Sequence, residues 1–260
     1  MPSSRDYAQT NLQLYEQMVA AGFQVEDIQI VKQAYVLAQK IFSAKFRGSG
    51  RPFLAHLVGT ASILVKYDAS IKVIVLGLLH SAYAFGDFGS GIGGITAAKR
   101  RFLVAELGRD NEAMIHAYAL YRVRPETYAR VLQQSASIDE MEQDMLIAHL
   151  ANTLEDALLD NYIYSGPKKR KRCESKLPKA IAMAKATQNP ELADELSRCL
   201  QQHKEVTAHQ GDDASYTVVP QSYRLGLYPF LVKLKRFLQQ LVSRKNSNIL
   251  HLFIGRKKNV

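Results

Sequence analysis

The chain has 260 residues, 47% of them apolar and 22% charged, which is the composition of a globular protein with one large or two small domains. Its two cysteines, Cys173 and Cys199, stand far apart without metal-type neighbours, which excludes a disulfide framework and a zinc knuckle. The net charge of +10 suits acidic partners, whether nucleic acid, an anionic membrane surface or a phosphorylated ligand, and is equally compatible with plain solubility.

The N-terminal stretch MPSSRDYAQTNLQLYEQ lacks the apolar core of a secretory signal, and no apolar run reaches the roughly 18 residues that span a bilayer. A cytoplasmic protein is the expectation, peripheral to a membrane at most. In residues 6–20 the spacing of Tyr7, Leu12, Tyr15 and Val19 predicts a helix that ends at Gly22. A longer helix is expected over Glu26–Phe46, with Ile30, Ala34, Leu37, Ala38 and Ile41 on its apolar face. The sequence RGSGRPF then forms a turn, because Gly48, Gly50 and Pro52 disfavour helix there. Arg47 and Arg51 flank that turn. They read either as a phosphate or carboxylate clamp or as a solvated basic turn.

Two apolar helices follow, over 53–66 and 70–84, and each carries a histidine, His56 and His80. A polar ring inside such a run needs a partner, since burying it unpaired costs about 1–3 kcal/mol. The partner can be the other histidine, a metal or a ligand. The loop GDFGSGIGG (86–94) follows no strand and has no Lys-Ser/Thr, so it is neither a P-loop nor a dinucleotide fingerprint. A flap over a pocket and a simple connector both fit it. Further helices are expected over 96–107, 110–122, 126–134 and 139–164, the last long and strongly periodic. His116 reads as a core residue. His149, Asn152 and Asp156 share one helix face at i, i+3 and i+7, a polar row that is either a solvated stripe or the source of a carboxylate for the pocket.

The stretches FRGSGRPFLAHLVGTASIL and VIVLGLLHSAY, then RFLVAELGRDNEAMIHAYAL and LIAHLANTLEDAL, resemble in order and spacing the HD superfamily, and within it the hydrolase domains of the RelA/SpoT type. The resemblance covers roughly residues 28–162 and implies an all-α HD-like bundle. The family's metal ligands, a His, an adjacent His-Asp pair and a distal Asp, fall on His56, His80, Ser81 and Asn152. The acidic pair that follows the motif in the guanosine-tetraphosphate hydrolases falls on Ala84 and Phe85. Two imidazoles, a hydroxyl and an amide bring no negative charge for a hard cation such as Mn²⁺ or Mg²⁺. The resemblance is closer to an uncharacterised HD-like family in which Ser stands in place of that Asp. By that likeness His56, His80, Ser81, Tyr83, Arg122 and Asn152, together with Arg47 and Arg51, line a polar ligand pocket with no metal and no cofactor. The alternative keeps a divalent ion, Mn or Fe, on His56, His80 and Asp156. Ser81 is a poor nucleophile candidate for His80, because adjacent helix residues do not face each other.

Beyond residue 164 the sequence turns basic. Lys168–Arg172 (KKRKR) follows a turn and reads as an address, a nucleic-acid contact or a solvated run. Residues 177–188 and 190–205 are expected to pair as helices that pack onto the bundle, with Pro190 well placed at a helix start. His203 and His209 are expected to be exposed. Residues 209–223 read as a linker. In the tail, 224–260, Phe230, Leu231, Leu234, Phe237, Leu238, Leu241 and Val242 alternate with basic residues as an amphipathic helix, and NILHLFIGRKK reads as a short strand. The organisation expected is therefore an HD-like domain over 1–164, an accessory helical pair over 165–208, a linker over 209–223 and a basic extension over 224–260. Through 224–258 the chain could reach an anionic membrane, nucleic acid or a protein partner. The function expected is binding of a small polar or phosphorylated ligand or a protein partner, with metal-dependent phosphohydrolysis as the alternative.

Overall fold

The computed structural model describes residues 6–209 apart from Gly48, Arg122 and Arg124; the linker beyond His209 and the whole tail over 224–260 lie outside the described residues. The described chain is all-α, as expected, and no strand occurs in it. Its helices are α1 (Asn11–Ala20), α2 (Val25–Phe42), α3 (Phe53–Lys66), α4 (Ile71–Leu79), α5 (Ala82–Phe85), α6 (Ala97–Leu107), α7 (Arg109–Leu120), α8 (Pro125–Gln133), α9 (Glu140–Ala157), α10 (Leu159–Ile163), α11 (Pro167–Ala186) and α12 (Pro190–His209). No helix in the described residues is long and apolar enough to cross a membrane.

The core sits where α3 and α4 pack against each other and against α2 and α9. Every residue of α3 from His56 to Val65 is buried, and so is every residue of α4 from Val73 to Leu79. Helices buried on all sides must pack closely, and glycines permit it. A Cβ on Gly77 would lie 2.7 Å from Leu64 Cδ1 and 3.2 Å from the Ala61 Cα. A Cβ on Gly59 would meet Glu155 Cγ at 3.1 Å. These two positions let α4 and α9 lie against α3.

Several elements differ from expectation, each for a local reason. Thr10 caps α1 with Gln13 in a capping box, so the helix starts at Asn11 and buries Leu14 and Met18. Leu12 and Val19, assigned to the apolar face from spacing, are 66% and 65% exposed, and Tyr7 is buried ahead of the helix. α2 ends at Phe42, and Ala44 takes a positive φ of 56°. The helix expected over 70–84 breaks after Leu79: Ser81 leaves helical geometry, and the His80 side chain takes up the Gly77 carbonyl at 2.8 Å. The helix expected over 139–164 breaks at Leu158, which is extended. There Asn161 Nδ2 donates to the Glu155 carbonyl at 2.5 Å and His203 Nε2 donates to the Ala157 carbonyl at 2.7 Å, so side chains satisfy the terminal carbonyls of α9.

The basic run is not a loop. It forms the first turns of α11, a 20-residue helix that starts at Pro167 and carries Pro178 inside it. α11 and α12 form a hairpin that packs on α9. His203, expected at the surface, is buried and stacked on Tyr162 with ring centroids 3.7 Å apart. The reason is its position on the face of α12 turned to α9 and α10, which a polar local sequence concealed. A second anchor holds the hairpin. The buried Glu195 carboxylate accepts from Tyr7 and Tyr67 hydroxyls and from Lys66 Nζ at 2.9 Å, tying α12 to α3 and to the start of the chain.

Candidate functional site

The turn between α2 and α3 closes on itself. The Arg47 amide donates to the Arg51 carbonyl at 2.9 Å, the Gly50 amide donates to the Arg47 carbonyl, and Phe46 and Pro52 form an isolated antiparallel bridge. That fixed turn aims both guanidinium groups at α9. Arg47 ion-pairs with Asp156 and Arg51 with Glu155. Lys169, from the first helical turn of α11, reaches Asp156 at 3.8 Å. The clamp suggested by Arg47 and Arg51 thus closes on carboxylates of the chain itself.

Glu155 is the centre of this network and is wholly buried. Besides Arg51, it accepts from His56 Nδ1 and from Asn161 Nδ2 at 3.2 Å. Arg51 in turn donates to Asn161 Oδ1 at 3.1 Å, to the Ala55 carbonyl at 3.1 Å and to Gln9. Burial alone would push the Glu155 carboxyl up. His56, then Arg51 and Arg47, outweigh it and hold Glu155 well below the ordinary carboxylate range. Glu155 therefore stays ionised, with its partners supplied by charge-assisted hydrogen bonds.

His56 and His80 do come together, with ring centroids 5.3 Å apart and the rings edge to face. Burial, and next the neighbouring His56, push His80 down to about 3. With Nδ1 donating to Gly77, His80 is a neutral ring whose basicity is too low for general-base work near neutral pH. Ser81 is buried beside it and caps the short α5; no side-chain hydrogen bond is made by it among the described residues. Asn152 is half-buried on α9, one turn ahead of the carboxylates. Tyr83 belongs to a different network: its hydroxyl donates to Glu112 at 2.5 Å, and Arg100 makes a two-point pair with the same carboxylate at 2.7 and 2.9 Å. Arg122 lies outside the described residues. His116 stands edge to face with Tyr83 at 6.1 Å.

His56, Glu155 and Asp156 offer one ligand atom each within 4.8 Å of one another, so the metal-type cluster contains Glu155 where the sequence suggested His80. As the ion pairs stand, a divalent cation would have to compete for most of the donors. His56 Nδ1 is engaged by Glu155, the Glu155 oxygens by Arg51, His56 and Asn161, and Asp156 by Arg47 and Lys169. Three cationic side chains already surround the two carboxylates, and a further positive ion would have to displace them.

Glu155, Asn161 and Lys169 were not singled out from sequence. The available signal was a carboxylate at the centre of the apolar segment ANTLEDALL, since a buried acid requires a cationic partner. The pairing itself spans more than a hundred residues (Arg51 to Glu155), and no local pattern encodes it.

The loop 86–94 is held at both ends. The Asp87 amide donates to the Ile41 carbonyl at 2.7 Å, and the buried Lys99 donates to the Gly94 carbonyl at 2.9 Å while lying over the Phe88 ring. Next to the site, Tyr118 of α7 stands edge to face with His80 at 6.0 Å. Tyr118 also borders a partly open cavity of about 310 Å³ lined by residues of α7, α8, α9 and α11.

Residues 37–122 match the family described as Domain of unknown function (DUF6817). The chain is 30% identical over 95 residues to probable GTP diphosphokinase RSH3, chloroplastic, of Arabidopsis thaliana, covering 33% of this chain and 13% of that one. It is 30% identical over 93 residues to probable GTP diphosphokinase RSH2, chloroplastic, of Oryza sativa subsp. japonica, covering 32% and 13%. A GTP pyrophosphokinase of Myxococcus xanthus is 41% identical over 54 residues, 21% of this chain and 7% of the relative. The chain is thus similar, weakly and over about a third of its length, to RelA/SpoT-type proteins, and it spans 13% or less of each of these relatives. The matched family segment contains His56 and His80 and stops short of α9, so both carboxylates lie outside it.

Proposed function

We propose that this chain is an HD-like binding domain in which an internal ion-pair network has replaced the metal centre, and that it recognises a small polar or phosphorylated ligand, or a protein partner, without hydrolysing it. The observation that carries this is the seating of Arg47 and Arg51 on Asp156 and Glu155. A guanidinium supplies the positive charge that a hard cation would bring, but it leaves no open position at which water could be activated. His80, with its depressed basicity, and Ser81, without an oriented base, offer no replacement chemistry. The relatives are named as GTP diphosphokinases and a GTP pyrophosphokinase; the small share of them that this chain spans supports a likeness to a part of those proteins only.

The competing reading is a metal-dependent phosphohydrolase on His56, Glu155 and Asp156, favoured by their mutual proximity. Elemental analysis of protein expressed with added manganese and iron separates the two. No metal above background, in both the parent and His56→Ala, is the expected result. About one metal per chain, lost in His56→Ala and in Asp156→Ala and accompanied by phosphate release from phosphoesters, would overturn the binding reading.

A further inference from the structure

We infer that the cavity between α7, α8, α9 and α11 is a binding site for a small aryl phosphate, a molecule with one flat ring and one phosphoryl group. Its wall is aromatic, formed by Tyr118, Tyr121 and Tyr128, and its edge is basic, formed by Arg172, Lys176 and Lys179. The assignment rests on the ligand-binding reading above and gives it a location and a ligand class.

Three observations converge. First, the basic residues are exposed and form no ion pair among the described residues, unlike Lys169 one turn earlier on the same helix, which has Asp156. They fall at helical spacing on one face of α11, so their charges add over one mouth. Second, part of the polar lining is unengaged. The His149 ring and the hydroxyls of Tyr118 and Tyr128 make no hydrogen bond among the described residues, whereas the Tyr121 hydroxyl donates to Glu142 at 2.9 Å and the Thr153 hydroxyl to the His149 carbonyl at 2.8 Å. Burial, with Lys176 next, pushes His149 down to about 4, so at neutral pH the ring is an uncharged donor or acceptor. Third, the rest of the wall is apolar, with Val123, Ala180 and the Met183 thioether, a soft surface that suits an aromatic ring.

The ligand's properties follow. Three convergent cations call for more than one negative charge, which a phosphate monoester carries at pH 7 (about −1.5 to −2). The tyrosines call for a ring that can stack or pack edge on. A volume of about 310 Å³ lies at the small end of ligand sites, roughly 300–1,000 Å³, and admits one ring with its phosphoryl group.

Met183 provides the readout. The chain has six methionines, so methyl-¹³C-methionine labelling of the full-length protein gives a short set of resonances, with Met183 identified through Met183→Leu. Phenyl phosphate is the probe, with phenol and inorganic phosphate as its two halves. A saturable shift at Met183 is expected with phenyl phosphate, at concentrations at least about tenfold below those needed for either half. The Lys176→Glu/Lys179→Glu variant, altered only at exposed positions, should keep the parent's circular dichroism and weaken the response by about tenfold or more. No shift at Met183, or one that survives this charge reversal, overturns the cavity assignment. A response lost in Arg51→Ala but kept in the Lys176/Lys179 variant moves the ligand to the ion-pair network; the cavity assignment then fails while the binding reading stands. Metal content with phosphate release would sink that reading whatever Met183 does.

Discussion

Two clusters of basic side chains in this fold have been used in opposite ways. In the first, every cation has an anion: Arg51 has Glu155, and Arg47 and Lys169 share Asp156. In the second, Arg172, Lys176 and Lys179 surround a cavity and have no acid among the described residues. At the centre of the sealed cluster Glu155 is wholly buried, where an unmatched charge would be prohibitive, while Arg47, Asp156 and Lys169 are part-buried at its edge. The open cluster lies on exposed stems at a cavity mouth, where water solvates each charge. The same residue types therefore serve as structure in one place and as a recognition surface in the other, and burial decides which.

The largest test of this contrast is Arg51→Ala. It leaves the buried Glu155 carboxylate with His56 and Asn161 but without its guanidinium. Removing one partner of a buried pair costs about 3–5 kcal/mol, so the urea midpoint should fall steeply while the far-ultraviolet helix signal of the folded state is retained. A loss below about 1 kcal/mol, the range of exposed pairs, would mean that the network is not sealed.

How much of this was visible in the sequence depends on distance along the chain. The all-α class and most helices were legible because each depends on local periodicity and on turn residues. The pairing of His56 with His80 was legible in outline, since each ring lay in an apolar run and needed a neighbour; the fold sets the rings 5.3 Å apart. The breaks at Ser81 and Leu158 were not legible. Apolar periodicity continues through both, and what stops the helices is a side chain capturing a carbonyl, His80 in one case and Asn161 with His203 in the other. Glu155 was missed because its partners come from α3 and the preceding turn, about a hundred positions away. The basic stripe of α11 was missed for a different reason: KKRKR drew attention as a block, and starting the helix at 177 hid the face that joins Arg172 to Lys176 and Lys179.

Acidification should act through the histidines that burial depresses. The folded-state value of His80, about 3, lies below its ordinary value of 6.5, so the unfolded chain takes up a proton before the folded one does. Its contribution is therefore complete above about pH 6.5 and is lost as the pH falls toward 3, by about 1.4 kcal/mol per pH unit. His149 and His203 are depressed in the same sense. Stability measured by urea unfolding at pH 7, 6 and 5 should fall, and His80→Asn should flatten that slope. A variant slope equal to the parent's would place the acid sensitivity elsewhere.

Gly59→Ala is a smaller steric probe of the same seal. Its new methyl would lie 3.1 Å from Glu155 Cγ and 3.2 Å from Oε1, so the carboxylate must shift by a few tenths of an ångström in a site where each oxygen is already engaged. Overpacking of this kind costs about 1–3 kcal/mol. An unchanged thermal midpoint would show that α9 can move away from α3 without loss, contrary to a closed network.

The smallest expected effect is the one that best defines the open cluster. Lys176→Ala and Lys179→Ala, singly or together, remove charges that hold nothing in place, so the unfolding free energy should stay within about 0.5 kcal/mol of the parent. Removing one of three like charges relieves mutual repulsion, and any change at low salt should be a slight gain that fades as salt is added. The same substitutions in a structural cluster would cost several times more, as Arg51→Ala should. A clear loss of stability in the lysine variants would mean that the cavity mouth is held together by contacts like those around Glu155. Unchanged stability together with a weakened aryl phosphate response would separate recognition from folding at one helix face, which is what distinguishes the two clusters.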